Sequence, residues 1–286
     1  MSTDVHVSSL QRGGRLAGRG IGRLFVWSWV LFSLAMLVWL ILAAFKRNNS
    51  VFRDLWALPD SNEIQNFRDA WDLLNLARTT LNSVLTVGGG TALTMAVAAP
   101  AAYALTRMYF RGASPLISFF ALGIGVPVHA IIIPLFVGLS EVNLTNNLWG
   151  LTLTYMGVSI PFAVFLMTGF FRSLPSELEE AAVMEGAGPL RVFFVMLPLA
   201  RPGMVASALI VAVGLWNEFL LALVLTYDVD KRTIGVGLLN TFGAMRYTSN
   251  WVGLFASVVI MLTPLIILYT WMSRRIIEGL TVGATK

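Results

Sequence analysis

Long runs without Asp, Glu, Lys or Arg recur along the chain, separated by polar passages. The first, 24–45, holds 22 uncharged residues, enough at about 1.5 Å per residue to cross a hydrocarbon core of about 30 Å. The same pattern predicts membrane-spanning helices at 81–105, 115–139, 148–171, 204–227 and 251–273, so the chain reads as an all-α integral membrane protein with six transmembrane helices. Residues 1–23, glycine-rich and carrying Arg12, Arg15, Arg19 and Arg23, read as a mobile polar tail, and 274–286 as a short C-terminal one. A cleaved leader is the rival reading of 24–45. Its apolar core would be shorter and end in small residues, whereas this one passes through Trp39 and stops at Phe45, Lys46 and Arg47, which favours an uncleaved span. Segment 46–80 mixes charges with Trp56, Pro59, Phe67 and Trp71 and is expected outside the membrane with some helix. Residues 141–147 read as a tight turn and 228–250 as a polar loop.

Composition agrees with this pattern. Of 286 residues, 57% are hydrophobic and 12% charged, and the mean hydropathy is +0.75, too apolar for a soluble globular domain. The net charge of +5 does not point to nucleic acid, because the basic residues gather at span ends, where they set orientation. The side that carries both tails and the loop 175–202 has twelve Lys and Arg against eight on the other. This bias places the termini and that loop in the cytoplasm. The chain has no cysteine and only two histidines, His6 and His129. Disulfides, thiolate nucleophiles and histidine metal clusters are therefore ruled out, no metal site is expected, and enzymatic chemistry within the chain is not expected either.

Some features inside the spans carry candidate chemistry. Gly88, Gly89 and Gly90 would weaken a helix in water, but in lipid they let helices pack backbone to backbone. Pro127 and Pro134 predict a kinked or broken third span whose freed carbonyls find partners in protein or water. His129, between them, is either a hydrogen-bonding group of a translocation pathway or a packed neutral histidine. Trp216, Asn217 and Glu218 lie near the middle of the fifth span. A carboxylate at that depth is costly, so it faces either a water-filled path or a structural partner on a neighbouring helix. Trp216 and Asn217 suit a neutral sugar, the ring stacking on the apolar side of a pyranose and the amide exchanging hydrogen bonds with hydroxyls. Such pairs are also common between packed helices.

The longest strongly polar passage between two spans is 175–202. Ser176, followed three residues later by Glu179, has the pattern of a capping box and predicts a helix from about residue 177 to 185. Gly186 is placed to close that helix in the left-handed conformation, and Pro189 to open a second helix ending at Pro198. Leu178, Ala181, Ala182 and Glu185 share one face of the first helix by their spacing, and the two alanines allow close approach. The loop reads as a docking knob.

Glu180, Ala181 and Ala182, then Gly186, then Leu197 and Pro198, resemble the signature loop of the permease subunits of binding-protein-dependent ABC importers. Trp216, Asn217, Glu218 and Phe219, with the C-terminal run 274–284, resemble the carbohydrate-uptake, maltose permease-like branch of that family. The family usually has Asp where this chain has Glu185, and one more residue between its glycine and its Leu-Pro pair. The resemblance implies a type I ABC importer permease fold in the plasma membrane of a prokaryote, with both termini cytoplasmic. It implies a subunit with no activity alone, coupling ATP hydrolysis elsewhere to translocation of a mono- or oligosaccharide. The implied partners are a second homologous permease subunit, two cytoplasmic ATPase subunits that bind ATP and Mg, and an extracytoplasmic solute-binding protein. The implied coupling residues are Glu180, Ala181, Ala182, Glu185, Gly186, Leu197 and Pro198, and the C-terminal tail is implied to reach between the ATPases. No cofactor is expected in this chain, which has no phosphate-binding loop of the form Gly-x-x-x-x-Gly-Lys-Ser/Thr. Amino acid, phosphate and polyamine importers belong to the same wider class and stay open. A secondary carrier would need coupling-ion groups near the midplane and usually an internal repeat, but the spans offer one acid, one histidine and no repeat of halves. A noncatalytic scaffold would leave the 175–202 loop without a purpose.

Overall fold

The computed structural model describes residues 9–284 apart from 55, 60, 61 and 74. Among the described residues the regular structure is entirely helical. Residues 1–8 of the expected N-terminal tail and 285–286 of the C-terminal one lie outside the described residues, as do the side chains of 9–19, 21, 73, 244, 246, 248, 268 and 271 onward.

Helix α1 (Ser9–Ala44) starts inside the expected polar tail, whose glycines weaken a helix but which has no proline to stop one. Its apolar part, Gly22–Ala44, is long enough to cross a bilayer. Phe25, Trp27, Trp29 and Phe32 are all mostly exposed along it, a surface that requires lipid or another protein as cover. Helix α2 (Gln65–Leu73) lies against the end of α1, with Ala44, Ala70 and Ala256 fully enclosed between elements. Asn66 fixes that approach, its Nδ2 donating to the carbonyls of Ala44 and Lys46 at 2.9 Å each.

Helices α3 (Leu76–Arg107) and α6 (Leu148–Ser173) form the centre of the bundle and share its largest helix pair interface. Small residues set their spacing. A Cβ on Gly90 would stand 3.0 Å from Tyr155 Cβ, and one on Gly89 3.2 Å from Thr152 Cγ2, so these glycines serve packing. Val87, Met95, Leu151, Tyr155, Val164 and Leu215 belong to the main core. A second cluster, with Tyr103, Phe171, Val192 and Met196, fills the end where both helices terminate.

The third span is broken, as its prolines predict. Helices α4 (Ala113–Ile124) and α5 (Ile132–Glu141) meet at 88° across a 3₁₀ turn at Val128–Ile131. Pro127 precedes that turn with extended ψ, and Pro134 falls in the first turn of α5, where its missing N–H leaves no bond unmade. Helices α7 (Glu177–Met184) and α8 (Pro189–Leu199) form a hairpin, and α8 turns by 74° into α9 (Arg201–Asn217).

Two expectations need correcting. The fifth span is not one helix over 204–227: α9 stops at Asn217 and a short helix, α10 (Leu220–Leu225), follows. Glu218 takes an extended conformation, φ −70° and ψ 132°, and its carboxylate starts the new helix. The 228–250 loop contains α11 (Ile234–Thr248), whose Ile234, Val236 and Met245 are buried. Helix α12 (Trp251–Ala284) carries the sixth apolar segment, Trp251–Ile267, and continues past its expected end.

Helix α3 is fastened at its N-terminal end to the α10–α11 connection. Asn82 Nδ2 donates to the carbonyls of Asp230 and Arg232 at 3.0 Å each, Ser83 Oγ accepts from the Ile234 amide at 2.8 Å, and Arg78 pairs with Asp230 at 2.7 Å.

Candidate functional site

The hairpin of α7 and α8 sits where α3 and α6 both end. Its turn is built as the sequence predicts. Gly186 has φ +81°, Gly186 N donates to Val183 O at 2.9 Å, and Ala187 N donates to Ala182 O at 3.0 Å. This bond pair is a Schellman motif, in which the two backbone donors after the helix satisfy its last carbonyls. Pro189 opens α8 at its first turn.

The capping box is not formed. Ser176 already has helical angles, φ −79° and ψ −21°, and its hydroxyl makes no cap bond; an N-cap hydroxyl reaches the N2 or N3 amide from extended backbone. Glu179 points instead to Arg107, with Oε2 3.5 Å from Nη1. The expected alanine face also divides. Ala182 and Leu197 pack inward against the cluster around Phe171 and Met196. Glu180, Ala181, Glu185, Gly186 and Pro198 are exposed. The most exposed apolar side chains of the hairpin are Met184, 87%, Leu190, 70%, and Val183 and Phe194, 58% each.

Around the break in the fifth span, Glu218 is committed to structure. Oε1 accepts from the Leu221 amide at 2.8 Å, while Oε2 accepts from the Ala222 amide at 3.2 Å and from the Tyr155 hydroxyl at 3.1 Å. One carboxylate thus caps α10 and ties it to α6. Asn217 is exposed, its Nδ2 donating to Val213 O at 2.8 Å, and the adjacent Trp216 keeps Nε1 buried without an acceptor. His129 lies exposed on the 3₁₀ turn of the third span, without a hydrogen bond or ion pair to the other three. The apolar grooves of about 510 Å3 beside Gly88 and Trp149 and about 410 Å3 beside Val128 and Pro161 are lined by none of Trp216, Asn217, Glu218 or His129. Among the described residues no cluster of three or more His, Asp or Glu could hold a metal ion.

Sequence reasoning missed Arg107 and Tyr155. Arg107 registers only as one more basic residue at a span end, and Tyr155 only as a hydrophobic position. Their roles come from partners far away along the chain. The one available signal was the placement of Arg107 in the last turn of a span, where a cation can answer free carbonyls.

Residues 95–281 match the family described as binding-protein-dependent transport system inner membrane component. A diacetylchitobiose uptake system permease protein of Streptomyces coelicolor is 36% identical over 90% of this chain and 86% of that protein. A trehalose transport system permease protein of Mycobacterium tuberculosis is 32% identical over 89% of this chain and 93% of that protein. Among solved structures, a bacterial ABC transporter involved in the import of the acidic polysaccharide alginate superposes with a TM-score of 0.78. It covers 95% of this chain and 99% of its own at 22% identity, a likeness of fold. The fold is thus that of an ABC importer permease, and the chain belongs to the family of inner membrane components of binding-protein-dependent transport systems.

Proposed function

We propose that this chain is a transmembrane permease subunit of an ATP-driven ABC importer for mono- or oligosaccharides, with the α7–α8 hairpin as its ATPase-coupling element. The observation that carries the coupling role is the hairpin's surface. Met184, Val183 and Leu190 expose apolar side chains at the polar end of the bundle, on a turn closed by a Schellman motif. Exposed apolar residues on a rigid support mark a protein partner. Glu180, Ala181, Glu185, Gly186 and Pro198 are exposed as well, and Ala182 and Leu197 seat the hairpin on the bundle.

In this reading two ATPase subunits bind ATP and Mg on the cytoplasmic side, where both termini lie. A second, similar permease completes the path, and a solute-binding protein delivers substrate from the other side. ATPase closure moves the hairpin, and the spans respond by passing between inward and outward openings, a two-state equilibrium that nucleotide and substrate bias together. Relatives named for diacetylchitobiose and trehalose support a sugar as cargo. Trp216, Asn217, Glu218 and His129 are the pathway candidates of this chain, with Glu218 also holding the break in the fifth span.

The absence of cysteine makes the test direct. Met184→Cys is expected to cross-link to an ATPase subunit bearing a cysteine in its docking cleft, with a yield that changes on adding ATP. No cross-link in membranes where both proteins are present and folded would sink the coupling role. Binding of labelled sugars by the partner solute-binding protein, against amino acids and polyamines, decides the cargo.

A further inference from the structure

One side chain gathers three helix termini beside the hairpin. Arg107 closes α3 and is 12% exposed. Its Nε and Nη2 donate to Phe171 O at 3.0 and 2.5 Å, Nη2 also donates to Leu174 O, and Nη1 faces Glu179 Oε2 at 3.5 Å. The Phe171 and Leu174 carbonyls lie at the end of α6 and just beyond it; Phe171 O also accepts from the Leu174 amide at 3.3 Å, a single long bond beside which the guanidinium binds the same oxygen. Helices α3 and α6 end side by side, so two negative dipole ends converge at this point and a cation answers both. Glu179 occupies the first turn of α7, the positive end of that helix. It is 17% exposed and its Oε1 is buried without a hydrogen bond, so the Arg107 guanidinium is the cation that balances it.

The geometry uses what distinguishes arginine. A planar fork reaches acceptors on two elements at once, whereas a lysine ammonium is a single point at the end of a flexible stem. Between α6 and α7 only 174–176 intervene, so the end of α6 and the start of α7 stay within reach of one side chain. Tyr103, one turn before Arg107, adds ring contacts to Phe171 of α6 and Phe193 of α8 with centroids at 5.6 and 5.2 Å.

We propose that Arg107, through its pair with Glu179, is a positioning residue for coupling. It holds α7 at a set angle to the α3–α6 pair, so that a push on the hairpin moves both spans as one body instead of bending the 174–176 link. The proposal rests on the coupling role argued above. Because α3 is also gripped at its far end through Asn82 and Ser83, the same brace carries the movement to the α10–α11 connection.

The test uses the fully assembled importer in lipid nanodiscs with Arg107→Lys, Glu179→Gln and the double variant. The ATPases are expected to copurify and basal ATP hydrolysis to persist, while substrate moved per ATP falls by about 5- to 150-fold, the usual span of coupling between sites. The double variant is expected to lose no more than either single one, since one shared contact is removed. Spin labels on Tyr109→Cys and Glu177→Cys, both exposed, read the distance between the end of α3 and α7. That distance distribution should be narrow in the unsubstituted protein and broad in both variants. Unchanged transport per ATP, additive losses, or a distribution that stays narrow would each overturn the proposal. Failure of both single variants to assemble would also overturn it, by making Arg107 a folding brace only. Loss of the coupling role itself reads differently: the Met184→Cys cross-link would then be missing in the unsubstituted protein.

Discussion

Replacing Glu218 separates a structural role from a transport role more sharply than any other change in the bundle. In Glu218→Ala, α10 loses the cap on its Leu221 and Ala222 amides, worth about 0.5–2 kcal/mol for a typical N-cap. The Tyr155 hydroxyl, on a ring 1% exposed, loses its acceptor at a further cost of about 1–3 kcal/mol. The sum, about 1.5–5 kcal/mol, should lower the unfolding midpoint of the detergent-solubilised protein, followed by tryptophan fluorescence. Tyr155→Phe removes only its own bond and should cost about 1 kcal/mol, because Glu218 keeps both amide donors. In a double-mutant cycle with Glu218→Gln, the two changes should couple by about 0.5 kcal/mol or more, since they share one hydrogen bond. The refuting result is specific. If Glu218→Ala unfolds at the unsubstituted midpoint yet abolishes uptake, Glu218 acts on substrate, and its capping of α10 is incidental.

The other predictions concern single close contacts. In Gly203→Ala the new Cβ would stand 2.3 Å from Phe170 Cγ, so α9 must back away from α6, at about 1–3 kcal/mol by the cost of overpacking; thermal unfolding measures it, and an unchanged midpoint would show that the ring yields freely. Gly186→Ala meets no atom within 4 Å, so its cost is the left-handed backbone alone, about 1–2 kcal/mol, and uptake should fall while membrane insertion is kept. Asn82→Ala removes two bonds to the Asp230 and Arg232 carbonyls and should expose that connection to added protease while leaving the Met184→Cys cross-link intact.

How much of this the residues disclose depends on how local each cause is. The break at Pro127 and the turn at Gly186 and Pro189 are legible because proline and glycine act on their own backbone. Ser176 and Glu179 carry a local pattern too, but a guanidinium supplied by a distant helix outcompetes it, and no short-range rule contains that competitor. The break after Asn217 has no proline or glycine to announce it. It follows from a carboxylate that finds amide donors ahead of it and a tyrosine on α6. Helix α11 escaped notice because the charges around 228–232 hide the apolar positions Ile234, Val236 and Met245 in an averaged reading. The helix-turn-helix outline of 175–202 was legible from its glycine and prolines, whereas the orientation of Ala182 toward its own bundle was not.

The bare tip of the hairpin has a consequence for the life of the chain in the cell. In the coupling role proposed above, Met184, Leu190 and Val183 present a greasy surface to the aqueous compartment until an ATPase covers them, the kind that proteases and chaperones survey. A copy made in excess of its partner is a target for removal, so the amount of permease that accumulates is set by the supply of the scarcer subunit. Producing the chain by itself should give little intact protein, and producing it together with its ATPase should raise the yield without any change to the sequence.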